Sequence, residues 1–137
     1  MMRIVSRWYD EDHQVIYVHY QQGWSWEDLT QTKQQLDEML GSVTWVVHVI
    51  SDLRGANVLP SGSALSYLSR ILAAMPDNIG ILTTLGGGAV LQTLIEALQK
   101  LVPNQATKNI RFFSTLEEIH TFLEEILQHK LRVIEND

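Results

Sequence analysis

The stretch that decides the fold is TWVVHVISDLRGANVLPSGSAL, residues 44–65. Its first part, TWVVHVIS (44–51), is almost wholly apolar and rich in β-branched residues. Such a run without alternation suits a strand buried on both faces, as in the middle of an α/β sheet. Its last part opens a helical pattern in which Leu65, Leu68, Leu72 and Met75 recur, until Pro76-Asp77-Asn78 stops it. Between the two lie Asp52, Arg54, Gly55 and Pro60, then Ser61 and Ser63 on either side of Gly62. Strand, loop and helix in this order form one βα unit.

The alternation continues on both sides. Residues 2–9 (MRIVSRWY) and 14–20 (QVIYVHY) read as strands, and the short polar DEDH between them makes an antiparallel hairpin. In WSWEDLTQTKQQLDEMLG (24–41), Ser25 is a good N-cap with Asp28 three residues on, a carboxylate variant of the capping box. Trp24 and Leu29 have the spacing of a hydrophobic staple, Leu29, Leu36 and Leu40 share a face with Lys33 between them, and Gly41 closes the helix. IGILTTL (79–85) reads as a second buried strand. The GGG that follows turns it into a helix carrying Leu91, Leu94, Ile95, Leu98 and Leu101, which ends near Pro103-Asn104. NIRFF (109–113) is a last short strand. Thr115 and Glu118 form a capping box for a helix with Ile119, Phe122, Leu123, Ile126 and Leu127 inward. The order is ββαβαβαβα, which predicts a single α/β domain over residues 1–130. It would hold a mixed sheet of about five strands with four helices. The tail, 131–137, is expected to fray, with LRVI able to dock on the surface.

The bulk properties narrow the function. The chain has 137 residues, a net charge of -6 and no Cys, which removes disulfides, thiolate catalysis and thiolate metal sites. Its ten Lys and Arg are scattered without a basic stripe, so no nucleic-acid partner is expected. No apolar run reaches the ~20 residues of a membrane helix, and no leader-like apolar segment stands at the N-terminus. A cytoplasmic protein without membrane insertion is the expectation.

No residue set spells a reaction. The five His include no pair at i, i+4 and no HExxH, so no metal site is expected. Gly86-Gly87-Gly88 sits between strand and helix, where backbone amides would hold an anion or ligand. The same three glycines also suit a tight turn that lets helix and strand pack closely. The dinucleotide fingerprint is broken at Leu91, and no P-loop Lys follows. Ser61 or Ser63 would sit where a hydrolase places its nucleophile, with Asp77 and His120 in suitable chain order, but LPSGSAL is not G-x-S-x-G. Trp24 and Trp26 form either an exposed aromatic patch for a partner or a buried staple and shield for the sheet edge. No cofactor is implied.

Element order together with VVHVISDLRGANVLPSGSAL resembles the STAS domain, the family of the bacterial anti-sigma-factor antagonists. That family ends a buried strand in Asp-Leu-Ser-Gly and begins the next helix with Asp-Ser-Ser-Gly. Asp52-Leu53-Arg54-Gly55 matches the first motif except at Arg54, and Pro60-Ser61-Gly62-Ser63 falls on the second. YQQGWSWEDL and IRFFSTLEEIHTFL are similar to the SpoIIAA-like branch, which is also grouped with lipid-binding relatives. The resemblance implies a non-enzymatic regulatory domain that binds a protein partner and is phosphorylated by a kinase at the helix-start serine. Here Pro60 replaces the family's Asp, and Gly62 stands at the modified serine, flanked by Ser61 and Ser63. Either of these would be the switch, with Asp52 the neighbouring acid and Arg54 available to a phosphate, or Ser61 is simply the N-cap. The lipid-binding relatives imply an alternative, a small apolar ligand between sheet and helices. The hairpin edge would also allow a homodimer.

Overall fold

A computed structural model describes residues 2–102 and 104–135. β1 (Ile4–Trp8) and β2 (Val15–Tyr20) pair antiparallel around the polar turn, where His13 takes a left-handed conformation with φ 54°. β2 then pairs parallel with β3 (Val47–Leu53), β3 with β4 (Ile79–Gly86), and β4 with β5 (Ile110–Phe113). The result is one five-stranded mixed sheet in the order β1-β2-β3-β4-β5, so the α/β class and the strand count are as expected.

Among the described residues there are five helices: α1 (Trp26–Gly41), α2 (Ala64–Ala73), α3 (Gly88–Leu101) and α4 (Gln105–Lys108) connect strands, and α5 (Leu116–Leu127) follows β5. The additional one, α4, is a single turn. Asn104 caps it by accepting from the Thr107 amide at 2.8 Å, a local hydrogen bond that hydrophobic periodicity cannot reveal. Pro103, expected to stop α3, lies outside the described residues. Both capping boxes form, Ser25 with Asp28 and Thr115 with Glu118.

β3 is shifted relative to the apolar run. Thr44, Trp45 and Val46 precede it and are exposed. The Asn78 side chain donates to the carbonyls of Leu40 and Trp45, and Trp45 donates its indole N–H to the His13 carbonyl at 2.8 Å. These bonds fix residues 44–46 as a connection, so pairing starts only at Val47.

Strand alternation divides the core in two. Ile16, Val18, Val49, Leu82 and Ile110 face α1, α2 and α3, packing with Leu29, Leu36, Leu72, Leu91 and Leu98. Val15, Ile50 and Leu85 face the other side, where α5 lays Ile119 and Leu123 on them. Three residues expected inward are exposed: Leu65 (40%), Leu101 (68%) and Ile126 (43%). They lie at helix ends or stripe edges, beyond the reach of the sheet.

The tail does not fray over its described part. Val133 forms an antiparallel bridge with Asp10, the Glu11 amide donates to the Arg132 carbonyl, and the Ile134 amide donates to the Tyr9 carbonyl, both at 2.8 Å. Arg132 also forms an ion pair with Asp12. LRVI thus docks on the hairpin turn.

Candidate functional site

In parallel α/β sheets, ligands gather beyond the carboxyl ends of the strands. Here the ends of β3 and β4 carry residues 54–63 and the triple glycine. Asp52, the penultimate residue of β3, is buried. Its carboxylate accepts from the Tyr17 hydroxyl, from the Arg54 guanidinium at 3.0 and 3.1 Å, and from the Arg54 amide at 3.1 Å. Burial pushes the Asp52 pKa up, but the Arg54 guanidinium, the Tyr17 hydroxyl and the Arg54 amide together outweigh it and hold the carboxyl below its ordinary range. Arg54, expected to be available to a phosphate, already has its fork on Asp52.

Tyr17 belongs to a cluster that sequence reading missed. Its hydroxyl is pushed up to about 12 by burial and by the Asp52 carboxylate it donates to. The Arg7 guanidinium lies 4.8 Å from its ring centroid, and Tyr9 stacks at 5.6 Å. The Tyr9 hydroxyl is bonded to His120 Nε2 on α5. The register Arg7↔Tyr17 and His19↔Asp52 puts these residues on one face, but that requires the pairing, which single-strand alternation does not supply.

The triple glycine packs closely against its neighbours at two of its three positions, Gly86 and Gly87. All three glycines have positive φ, from 78 to 91°. A Cβ on Gly86 would stand 3.0 Å from the Arg54 amide nitrogen and 3.1 Å from the Leu53 carbonyl carbon, so the turn runs directly against the end of β3. The Gly87 amide donates to Asn57 Oδ1 at 3.3 Å, which ties it to the neighbouring loop.

Ser61 is not the N-cap. Gly62 takes a left-handed conformation with φ 110°, and Ser63 becomes the residue before α2, with no side-chain capping bond. Both serines are exposed. The Ser61 carbonyl accepts the Trp26 indole N–H at 3.0 Å. Trp26 stacks on Tyr67 of α2, with centroids 5.0 Å apart and planes at 7°, and meets Trp24 edge-on at 5.1 Å. Both tryptophans are buried, so they are not an exposed patch but a joint between α1, the serine loop and α2.

Asp77 and His120 are not brought to the serines. Asp77 precedes β4, at the opposite end of the parallel strands from residues 54–63, and His120 lies on the α5 side of the sheet. Among the described residues no cluster of three His, Asp or Glu is arranged to hold a metal, and no helix is long and apolar enough to cross a membrane.

Under α1, α2 and α3 lies an apolar cavity of about 110 Å³. Trp24, Lys33, Ser51, Leu59, Leu68 and Ile95 contribute to its wall. Leu59 brings the serine loop into that wall. The Lys33 ammonium is bonded to both Asp37 oxygens at 2.7 Å. Tyr20, also on the wall, is pushed up to about 12 by burial. The Trp24 indole N–H is buried without an acceptor. Against known proteins, no family model matches the chain and no curated protein matches it.

Two buried groups make the fold acid-sensitive. His48 Nδ1 accepts the Ile81 amide at 2.9 Å, and burial lowers its pKa, so the fold holds it neutral. Asp52 is held ionised. In both cases the unfolded chain binds protons that the fold refuses. Stability is therefore present above the ordinary values of 6.5 and 3.8 and is lost as pH falls through the lower folded values. Urea midpoints are expected to drop first in mildly acidic buffer and again near the carboxylate range. His48→Gln should remove the first drop, and an unchanged midpoint from neutral to strongly acidic pH would contradict this.

Proposed function

We propose that this protein is a non-enzymatic binding module that holds a small, mainly apolar molecule between its sheet and helices and presents the 54–66 segment to a protein partner. One observation carries this reading. The serine loop contributes to the wall of the cavity: Leu59 lines it beside Leu53 at the end of β3, and Trp24, also on the wall, touches the Trp26 ring that holds the Ser61 carbonyl. An occupant that moves Trp24 therefore acts on the loop through one aromatic contact. The resemblance to regulatory STAS domains supports the partner half of the reading, and exposed Val58 (79%) and Leu65 (40%) offer apolar contact on that segment.

Gently purified protein, denatured and extracted, is expected to release an organic molecule detectable by mass spectrometry. Stripped protein should exchange amide hydrogens faster over residues 54–66 than loaded protein. An extract without any organic mass, and no change in exchange on stripping, would reject the reading.

Phosphorylation is a second reading, favoured by one feature. Ser63 stands before α2 with its hydroxyl exposed and making no capping bond, where free amides and the helix dipole tolerate a phosphate. Intact-mass measurement on protein from its own cells tests it, and a chain lacking any phosphate under all growth conditions would exclude it.

A further inference from the structure

We infer that the cavity takes a compact, uncharged organic molecule carrying one hydroxyl group, which it seats between the hydroxyls of Ser51 and Thr84. This rests on the reading of the cavity as a binding site. Val49, Ser51 and Leu53 of β3 and Leu82 and Thr84 of β4 alternate onto the cavity floor. Ser51 and Thr84 are register partners, so two hydroxyls stand side by side on an otherwise apolar floor. On the opposite face the Thr83 hydroxyl donates to the Val49 carbonyl at 2.8 Å. The Ser51 and Thr84 hydroxyls make no such bond to the protein. Among the described residues, the unpartnered side-chain atoms sealed from solvent are Asp10 Oδ2 and Trp24 Nε1. The two hydroxyls are not of that kind and open onto the cavity. Tyr20 adds a third hydroxyl to the wall, which burial pushes up to about 12 against a smaller lowering by its Ser51 neighbour, so it stays neutral.

Bonding pattern, charge and size specify the occupant. Each side-chain hydroxyl both donates and accepts, and neighbouring strands lie about 4.8 Å apart. One oxygen set over the pair accepts from one hydroxyl and donates to the other, which a ligand hydroxyl does and a methyl cannot. Lys33 is the cationic residue on the wall, and Asp37 already neutralises it with both oxygens. A carboxylate would be desolvated there without a free counter-ion, which disfavours acids. The volume of about 110 Å³ is of the order of the engineered apolar cavity that admits benzene. The occupant is thus a molecule of about six or seven heavy atoms, apolar except at its hydroxyl.

The test uses two probes of one shape, phenol and toluene, in which a methyl replaces the hydroxyl. Each is titrated into the nitrogen-15-labelled full chain and into the double variant Ser51→Ala with Thr84→Val, which removes both hydroxyls at nearly constant volume. A wholly apolar cavity prefers toluene, because the phenol hydroxyl gives up its water without return. The wild type is expected to reverse that order and bind phenol more tightly, with shifts at the amide cross-peaks of residues 51 and 84. In the double variant the ratio of phenol to toluene affinity should fall at least about tenfold, the worth of one or two neutral hydrogen bonds. If toluene binds the wild type more tightly, or the ratio is the same in both proteins, the hydroxyl assignment is wrong and the cavity reading stands. If neither probe binds at millimolar concentration, the cavity reading itself fails. The order in the wild type decides even if the double variant does not fold.

Discussion

Gly80→Val is expected to destabilise the protein by about 3 kcal/mol or more, seen as a lower urea midpoint with an unchanged slope. Gly80 lies in β4 with ordinary backbone geometry, so space alone decides the outcome. A Cβ there would meet His48 Nδ1 at 2.4 Å and Val46 Cγ1 at 2.9 Å. The imidazole is buried and accepts the Ile81 amide, so yielding would orphan a backbone donor in the centre of the sheet. Gly80→Ala should show the same effect at about 1–2 kcal/mol. Combined with His48→Ala its cost should largely vanish, because the ring that it strikes is gone. Additive costs in that double variant would show that the clash is not the cause.

Trp26→Ala should have the largest effect among the site residues, about 3–5 kcal/mol, with faster proteolytic cleavage in residues 54–63. The substitution removes a buried ring, its stacking on Tyr67 and the bond to the Ser61 carbonyl together. Trp26→Phe separates these contributions. It keeps a ring against Tyr67 and loses only the indole N–H, so it should cost about 1 kcal/mol while still loosening the loop. Limited proteolysis alongside thermal melts distinguishes the two. If Trp26→Phe leaves loop cleavage at the wild-type rate, the indole bond does not hold the loop.

The fold was largely legible because its signals are local. Ser25 with Asp28 and Thr115 with Glu118 are within one helical turn, and both boxes form as read. The apolar runs at β3 and β4 report burial on both faces, which only inner strands experience. The ends of elements were less legible. Residues 44–46 are as apolar as the strand they precede, and it is the distant Asn78 that removes them from it. The site was legible in part. Asp52 and the serines stand at the strand end and helix start that the βα unit implies. The assignment of Ser61 as cap failed because it required the conformation of Gly62, and the pairing of Arg54 with Asp52 required a side-chain direction. Tyr17, Arg7 and His120 converge only through register and helix placement. The unpartnered N–H of Trp24 is a property of its surroundings that no letter of the chain records.

The sheet order β1-β2-β3-β4-β5 repeats the order of the chain. As the polypeptide leaves the ribosome, each new strand therefore finds its neighbour already made and adds to the growing margin, with no gap to be reopened for a late arrival. The initiating hairpin is local, and every later strand needs only the preceding one and the helix between them. The pairing of Val133 with Asp10 is the exception, since it joins the last described segment to the first turn. Synthesis would thus build the sheet progressively and close the hairpin turn last, so a nascent chain stalled after β5 should already hold a complete sheet while residues 9–12 await their strap.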